Sequence, residues 1–326
     1  MGALAGIYRY PVKGLSAQHL HEVDLKAGRP FPFDRTFALA RSNRDIDADD
    51  PKWAKKGSFL MLMLESGLAK ARTHLDLASM RMAVELDGKR STTLPIDTPA
   101  GKAQVEELFG RLGGTDPQPR LVHSRTGHFM DKPDNVLSLI NLATIRDLEE
   151  RWGTSLDPLR FRANFYIDGF RAWEEFDWIG REITIGDVVL SVDRRNGRCA
   201  ATNVNPETGE RDRDIPAALR TSFRHKDLGV YLLVKSSGRV TLQDPVAVQA
   251  GEARAHQGES DPGATSETMR YICGGCYYIY DGVVAGGNRT SGPEEFAALP
   301  ADWTCPDCGS DKGKFKPYDK PTPASH

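Results

Sequence analysis

The sequence lacks the features of several broad protein classes. No stretch of its 326 residues approaches the run of about 20 apolar residues that a membrane-spanning helix needs. The first ten residues have neither the charged leader nor the apolar segment of a signal peptide, and they are typical of a β-strand. The formal net charge is only -2, so we expect no general attraction to nucleic acid or to anionic membranes. We therefore expect a cytoplasmic protein, in which any anion site is a local cluster of basic residues.

Nucleotide motifs and histidine metal motifs are also absent. The chain has no Gly-x-Gly-x-x-Gly sequence and no phosphate-loop lysine, so it must obtain any reducing equivalents from another protein. Its eight histidines do not follow a metal-binding spacing. Cysteine is scarce, with five residues, and four of these form two Cys-x-x-Cys pairs. This usage favours a reducing compartment and metal binding over disulfides.

Cys199 is the one cysteine outside the C-terminal segment. Residues Ile183 to Val192 alternate like two strands around a Gly186-Asp187 turn, which places Cys199 just past a hairpin. Arg195 and Arg198 lie beside it, and neighbouring cations favour the thiolate, the form that attacks or binds metal. The alternative is a buried cysteine that acts as a small hydrophobic residue. The local sequence does not decide between these two roles.

The first hundred residues predict short strands separated by turns, a spacing typical of a sandwich or barrel. Lys13 and Arg35 lie at the ends of such strands. The predicted strands are Leu4–Val12, Leu20–Leu25, Thr36–Arg41 and Met82–Leu86, followed by an amphipathic helix over Pro99–Gly114.

The central region alternates predicted strands and helices. An apolar strand, Val136–Ile140, leads through Asn141 into a helix over Leu142–Trp152; Asn141 suits an N-cap, and helix amino termini bind anions. We predict a strand over Leu159–Ile167, in which Arg162 and Asn164 would face the same side. The alternative for these two residues is a solvated strand edge. Further on we predict a helix over Asp214–Phe223 and a hairpin that joins Gly229–Val234 to Val240–Val248.

The C-terminal segment carries the strongest signal. Cys273-x-x-Cys276 and Cys305-x-x-Cys308 are separated by positions 277 to 304, and four thiolates in such loops suit zinc or a single iron. A zinc ribbon is the alternative, but the aromatic residues around the cysteines favour iron. These aromatic residues are Tyr271, Tyr278, Tyr280, Phe296, Trp303 and Phe315.

From Met269 to Tyr318 the segment resembles rubredoxin, with one departure. Rubredoxins usually carry glycine directly after the second cysteine of each pair. Gly309 keeps this glycine, whereas Tyr277 replaces it in the first pair. A left-handed backbone at Tyr277 would cost about 1 to 2 kcal/mol, so we expect a shifted potential rather than a lost site.

The sequence around Cys199 resembles the MOSC proteins, through Arg198-Cys199, the following Thr202 and an Asn-Pro-x-Thr-Gly turn. The resemblance implies that Cys199 either ligates molybdenum in a bound molybdopterin cofactor or handles the sulfur destined for it. It also implies a set of residues that hold the pterin and its phosphate. These are Lys13, Arg35, Asn141, Arg162, Asn164 and Arg198.

Together these signals predict a mostly β chain with a few helices. The expected order is a MOSC N-terminal barrel over residues 1–120, a MOSC β-barrel domain over 121–250, a flexible linker over 251–268 and a rubredoxin-like iron module over 269–320. The combination resembles molybdenum-dependent oxidoreductases that reduce small N-hydroxylated compounds, with electrons delivered by the rubredoxin from an NAD(P)H-dependent flavoprotein. One alternative is a sulfur carrier with a persulfide on Cys199. Another is a zinc ribbon that serves only for docking.

Overall fold

The computed structural model describes residues 2–86, 88, 92–249, 270–274, 278–280, 293–306 and 309–318. The predicted linker over 251–268 lies outside these residues, as do Cys276, Tyr277 and Cys308. None of the helices within the described ranges combines the length and the apolar character that crossing a membrane requires.

Strands dominate the described residues, which confirms the prediction of a mostly β fold with a few helices. The strands are β1 (Gly2–Arg9), β2 (Gln18–Leu20), β3 (Glu22–Leu25), β4 (Phe37–Ala40), β5 (Ala71–Asp76), β6 (Arg81–Leu86), β7 (Thr92–Pro95), β8 (Arg120–His123), β9 (Leu137–Asn141), β10 (Phe165–Asp168), β11 (Glu182–Ile185), β12 (Val188–Gly197), β13 (Asp227–Val234), β14 (Gly238–Thr241), β15 (Pro245–Val248), β16 (Arg270–Cys273), β17 (Ile279–Tyr280) and β18 (Phe315–Tyr318). The helices are α1 (Pro99–Gly113), α2 (Leu142–Trp152), α3 (Ile215–Phe223) and α4 (Pro293–Ala298).

The centre of the molecule is a closed β-barrel. Its strands follow the order β10-β9-β13-β12-β11-β15-β1, and β1 closes the ring by pairing antiparallel with β10. Strands β9 and β10 are parallel, and α2 forms the crossover between them, as parallel neighbours require. Alternating apolar residues such as Leu139, Ile183 and Val230 fill the interior. Because closure pairs every strand edge, the barrel is a rigid support for the loops at its ends.

A second core lies beside the barrel. It contains the pair β4–β8, the three-stranded sheet β5-β6-β7 and helix α1, packed around Leu39, Leu60, Val105 and Phe109. Helix α1 ends at Gly114 in the left-handed conformation, close to the predicted end. Although β1 falls within the segment 1–120, it is a strand of the central barrel, so the two parts of the chain share one sheet.

Two predicted elements are wrong. The segments Gly229–Val234 and Val240–Val248 do not form a hairpin, because β14 pairs with β3 and β15 pairs with β11 and β1 to complete the barrel. The predicted strand Leu159–Ile167 begins instead as a short 3-10 helix, Pro158–Phe161, and the strand starts only at Phe165. Arg162 ends that helix with φ 53°, so Arg162 and Asn164 do not share a strand face.

The described part of the C-terminal module is a small sheet over an aromatic core. Strand β16 pairs with both β17 and β18, and α4 packs beside them. The rings of Tyr271 and Phe296 stack with centroids 4.0 Å apart, and Trp303 and Phe315 pack edge to face at 5.2 Å. The aromatic residues singled out in the sequence therefore form the core of the module.

Candidate functional site

A cationic pocket lies between the barrel and the second core. Its lining includes six lysine or arginine residues and a single carboxylate among the described residues, that of Asp131. A concave surface with this excess of positive charge favours an anionic ligand. The basic residues are Lys13, Arg35, Lys56, Arg160, Arg162 and Arg198.

Lys13 lies in the loop between β1 and β2 and is buried. Its Nζ atom donates a hydrogen bond to the carbonyl oxygen of Phe129 at 2.9 Å and forms an ion pair with Asp131. Burial lowers the pKa of Lys13, and Asp131 offsets part of this effect. Burial acts to raise the pKa of Asp131, but the charges of Lys13 and Lys56 outweigh it and hold that pKa well below its usual range. Asp131 is therefore ionised at neutral pH and lies as a fixed negative charge beside Lys13.

Arg35 occupies the left-handed backbone region with φ 51°. Its guanidinium forms an ion pair with buried Asp34, and its Nη2 donates to the carbonyl oxygen of Arg162 at 2.9 Å. Asp34 in turn accepts a hydrogen bond of 2.8 Å from the backbone amide of Tyr10. This network fixes the guanidinium at the pocket wall.

Arg162 also lines the pocket, but its charge is not paired in the same way. Its Nη2 is buried and has no hydrogen-bond partner among the described residues. Burial lowers the pKa of Arg162 to about 10, and the nearby Arg35 contributes to the decrease. A buried donor without a partner is unfavourable, and an anionic oxygen in the pocket would relieve it.

Arg198 and Cys199 follow directly after β12. The Arg198 guanidinium is buried, and its Nε and Nη1 donate to the carbonyl oxygens of Leu228 at 2.8 Å and Phe161 at 2.9 Å. Cys199 is partly exposed and lies just past the hairpin, as predicted. It directly precedes the 3-10 helix Ala200–Asn203. Its carbonyl oxygen accepts a hydrogen bond of 2.9 Å from the Thr202 hydroxyl. Arg198 thus anchors the loop that presents the thiol to the pocket.

Asn141 and Asn164 are not among the described residues that line the pocket. Asn141 is the N-cap of α2, as predicted: its Oδ1 accepts from the amide of Ala143 at 3.1 Å and its Nδ2 donates to the carbonyl of Arg171 at 2.7 Å. Asn164 accepts from the amide and hydroxyl of Ser138, both at 3.1 Å. The structure therefore gives both asparagines positioning roles and does not bring them to the pocket with the other predicted residues.

Several lining residues were not singled out from the sequence. Lys56 lies in a short 3-10 helix, and Asp131 is 118 positions from its partner Lys13, so no local pattern marks either of them. Arg160 did have a signal, since it begins the Arg160-x-Arg162-x-Asn164 run. Its Nη2 donates to Asp212 at 2.6 Å.

Comparison with known proteins identifies two families along the chain. The MOSC domain family model matches residues 126–247, and the rubredoxin family model matches residues 270–315. The chain contains a MOSC domain followed by a rubredoxin domain. The predicted combination of the two is thereby confirmed.

The relatives agree with this assignment. The rubredoxin domain is 44% identical over 50 residues to a rubredoxin of Megasphaera elsdenii, a match that covers 15% of this chain and 96% of that protein. The chain is 27% identical over 155 residues to human mitochondrial amidoxime-reducing component 1, covering 44% of this chain and 41% of the human protein. It is 32% identical over 122 residues to rat mitochondrial amidoxime reducing component 2, covering 34% and 36%. These matches span less than half the length of the amidoxime-reducing components.

Proposed function

We propose that this protein is a cytoplasmic molybdenum cofactor-dependent oxidoreductase that reduces N-hydroxylated or related N- or S-oxygenated compounds with electrons from its own rubredoxin. One observation carries the proposal. The partly exposed thiol of Cys199 opens into the cationic pocket and also packs against an apolar cluster that contains Cys273 and Cys305 of the rubredoxin. An anion site, a thiol and an electron carrier thus meet at one place.

The residues of the pocket fit an anionic pterin cofactor. Lys13, Arg35, Arg162 and Arg198 supply positive charge from four separate segments, and the unpartnered Nη2 of Arg162 suits a phosphate oxygen. Cys199 would supply a thiolate, which is a suitable soft ligand for the metal. When bound, the cofactor would supply two-electron redox chemistry.

The rubredoxin would hold one iron between four thiolates. Cys273 and Cys305 are buried in its core, whereas Cys276 and Cys308 lie outside the described residues. Such an iron carries a single electron. Reduction of an N-hydroxyl group consumes two electrons and two protons, breaks the N–O bond and releases water, so the iron must be oxidised and re-reduced for each of the two electrons.

The source of these electrons is a second protein, because the sequence has no nucleotide motif. An NAD(P)H-dependent flavoprotein is the donor class that we propose, since a flavin accepts a hydride pair and can release single electrons. A sulfur carrier with a persulfide on Cys199 would have no use for an iron electron carrier, so the fused rubredoxin favours the reductase.

Cys199→Ala tests the proposal in protein purified from a host that makes the cofactor. With a chemical electron donor, we expect the wild type to reduce N-hydroxylated substrates and the variant to lose this activity while it keeps the rubredoxin colour. Full activity in the variant would contradict the ligand role. If the variant retained its pterin and activity but lost transferable sulfur, the sulfur-carrier function would be supported instead.

A further inference from the structure

The rubredoxin domain packs against one rim of the cationic pocket. Met61, Met63 and Ala200 are buried in a single apolar cluster with rubredoxin residues that include Cys273, Phe296 and Cys305. Met61 and Met63 are only 6% and 4% exposed, although they lie in a loop at the surface of the second core. We call Met61, Met63 and Ala200 the rim.

Two of the three rim residues also line the pocket. Met61 and Met63 line the cavity together with Cys199 and Ala201, and the last two residues pack against the rubredoxin cluster. The turn that contains Cys199 and Ala201 therefore borders the pocket on one side and the rubredoxin domain on the other.

The rubredoxin domain also approaches the rest of the chain near Gly309. Gly309, which directly follows Cys308, has φ 74°, and a Cβ atom built on it would lie 3.6 Å from Nη2 of Arg44. Arg44 belongs to the turn after β4 and is separate from the pocket lining. The rubredoxin domain thus approaches the rest of the chain at a second place, through Gly309 and Arg44.

The chemistry of the rim suits a contact that forms and separates. Methionine side chains are flexible and polarisable, and they adapt to more than one packing arrangement. Interfaces of electron-transfer partners are typically among the smallest that proteins form. A few apolar side chains contributed from each side match that class better than they match a permanent domain interface.

We propose that the rim is the docking seat of the chain's own rubredoxin, and that the seated rubredoxin covers the mouth of the pocket. This deepens the proposed function, because the iron would pass its electrons from this position. The proton donor and the substrate reach the pocket when the seat is open. Since reduction of an N-hydroxyl group needs two electrons and the iron carries one, two electron transfers from the seat occur per turnover.

Methionine methyl NMR of the full-length protein tests the seat without cofactor or substrate. The chain has seven methionines, which can be labelled with carbon-13 at the methyl group. In the ferric protein, the paramagnetic iron should broaden the signals of Met61 and Met63 relative to the zinc-substituted protein. Met82, buried in the second core, should be unaffected. Equal line widths for Met61 and Met63 in the two metal forms would overturn the seat.

Thiol labelling tests whether the rubredoxin covers the pocket mouth. In the cofactor-free ferric protein, a bulky maleimide should react with Cys199 several-fold more slowly than in Ala200→Glu, whose new charge opposes seating. A small alkylating reagent should discriminate much less. Arg29→Glu, at an exposed site outside the rim, is the matched charge control. Unchanged maleimide rates and unchanged methyl broadening in Ala200→Glu would contradict the proposal.

These measurements are independent of the proposed reaction. If the protein reduced no N-oxygenated compound but Met61 and Met63 were broadened, the seat would stand and the reaction would not. If the protein were active but showed no broadening, the reductase would stand without the seat.

Discussion

The Nη2 atom of Arg35 donates a hydrogen bond of 2.9 Å to the carbonyl oxygen of Arg162, and both guanidinium groups lie over the ring of Tyr10, at 4.3 and 4.4 Å from its centroid. Two like charges are thus held together at a buried aromatic ring. Asp34 pairs with Arg35, which leaves the charge of Arg162 as the less compensated one. This pair concentrates positive potential at one wall of the pocket before any ligand binds.

Arg162→Gln should weaken cofactor retention without destabilising the fold. A charged hydrogen bond contributes about 1.5 to 3 kcal/mol, so we expect pterin content after gel filtration to fall at least tenfold in the variant. The midpoint temperature of its thermal unfolding without cofactor should be unchanged or slightly higher, because a buried and poorly paired charge is removed. Wild-type pterin content would contradict the role of Arg162 in binding.

Arg198→Gln is the matched comparison, because Arg198 lines the same pocket but donates to the carbonyl oxygens of Leu228 and Phe161. Removing it leaves buried acceptors without partners. We expect a loss of about 1 to 3 kcal/mol in the free energy of unfolding, measured by denaturant titration of cofactor-free protein. Equal stability of Arg198→Gln and Arg162→Gln would show that the two arginines do not divide these roles.

Local signals predicted parts of the fold that support this site. The two-residue turn at Gly186-Asp187 fixed the hairpin before Cys199, and the side chain of Asn141 fits the N-cap that its position indicated. The pairing of β15 with β1 and β11 could not be predicted, since it depends on closure between distant segments. Arg162 was misplaced because apolar alternation over Leu159–Ile167 resembles a strand, whereas Pro158 and Asp157 start a 3-10 helix there.

The colour of the purified protein should report which metal the rubredoxin domain binds. Protein produced with sufficient iron should be red, because thiolate-to-iron charge transfer absorbs visible light, and dithionite should bleach it. Cys305→Ser should lose the colour and the iron measured by metal analysis, since buried Cys305 is one of the four thiolates of the proposed iron site. Colourless wild-type protein with one zinc per chain would contradict the electron-transfer function and favour a docking module.

Iron removal also separates the two halves of the proposed reaction. Zinc-substituted protein should keep its fold, because zinc accepts the same four thiolates in a tetrahedral site. It should reduce substrate with a chemical donor that reaches the pocket directly, but not with a donor that acts through the rubredoxin. Equal rates with both donors would mean that the rubredoxin is not on the electron path.

The buried carboxyl group of Glu175, which contacts the first turn of α2, makes the stability of the fold depend on pH. Glu175 is fully buried and accepts hydrogen bonds from the Thr144 hydroxyl at 2.9 and 3.0 Å. Asn141 Nδ2 lies 3.4 Å from one carboxylate oxygen. Burial raises the pKa of Glu175 to about 7, although these hydrogen bonds act to lower it. The folded state therefore holds a proton that the unfolded state releases at lower pH.

The raised pKa of Glu175 makes the folded protein less stable as pH rises. Between the ordinary glutamate pKa and about 7, the folded chain binds more protons than the unfolded chain, so the free energy of unfolding decreases as pH rises. The loss should be complete above pH 7 and should amount to on the order of 3 kcal/mol. Glu175→Gln should remove this slope and be the more stable protein at pH 8. Denaturant unfolding from pH 4.5 to 8 measures it, with Glu174→Gln, a partly exposed neighbour paired with Arg171, as the control. Parallel stability curves for Glu175→Gln and the wild type would show that Glu175 is ionised in the folded protein throughout this range.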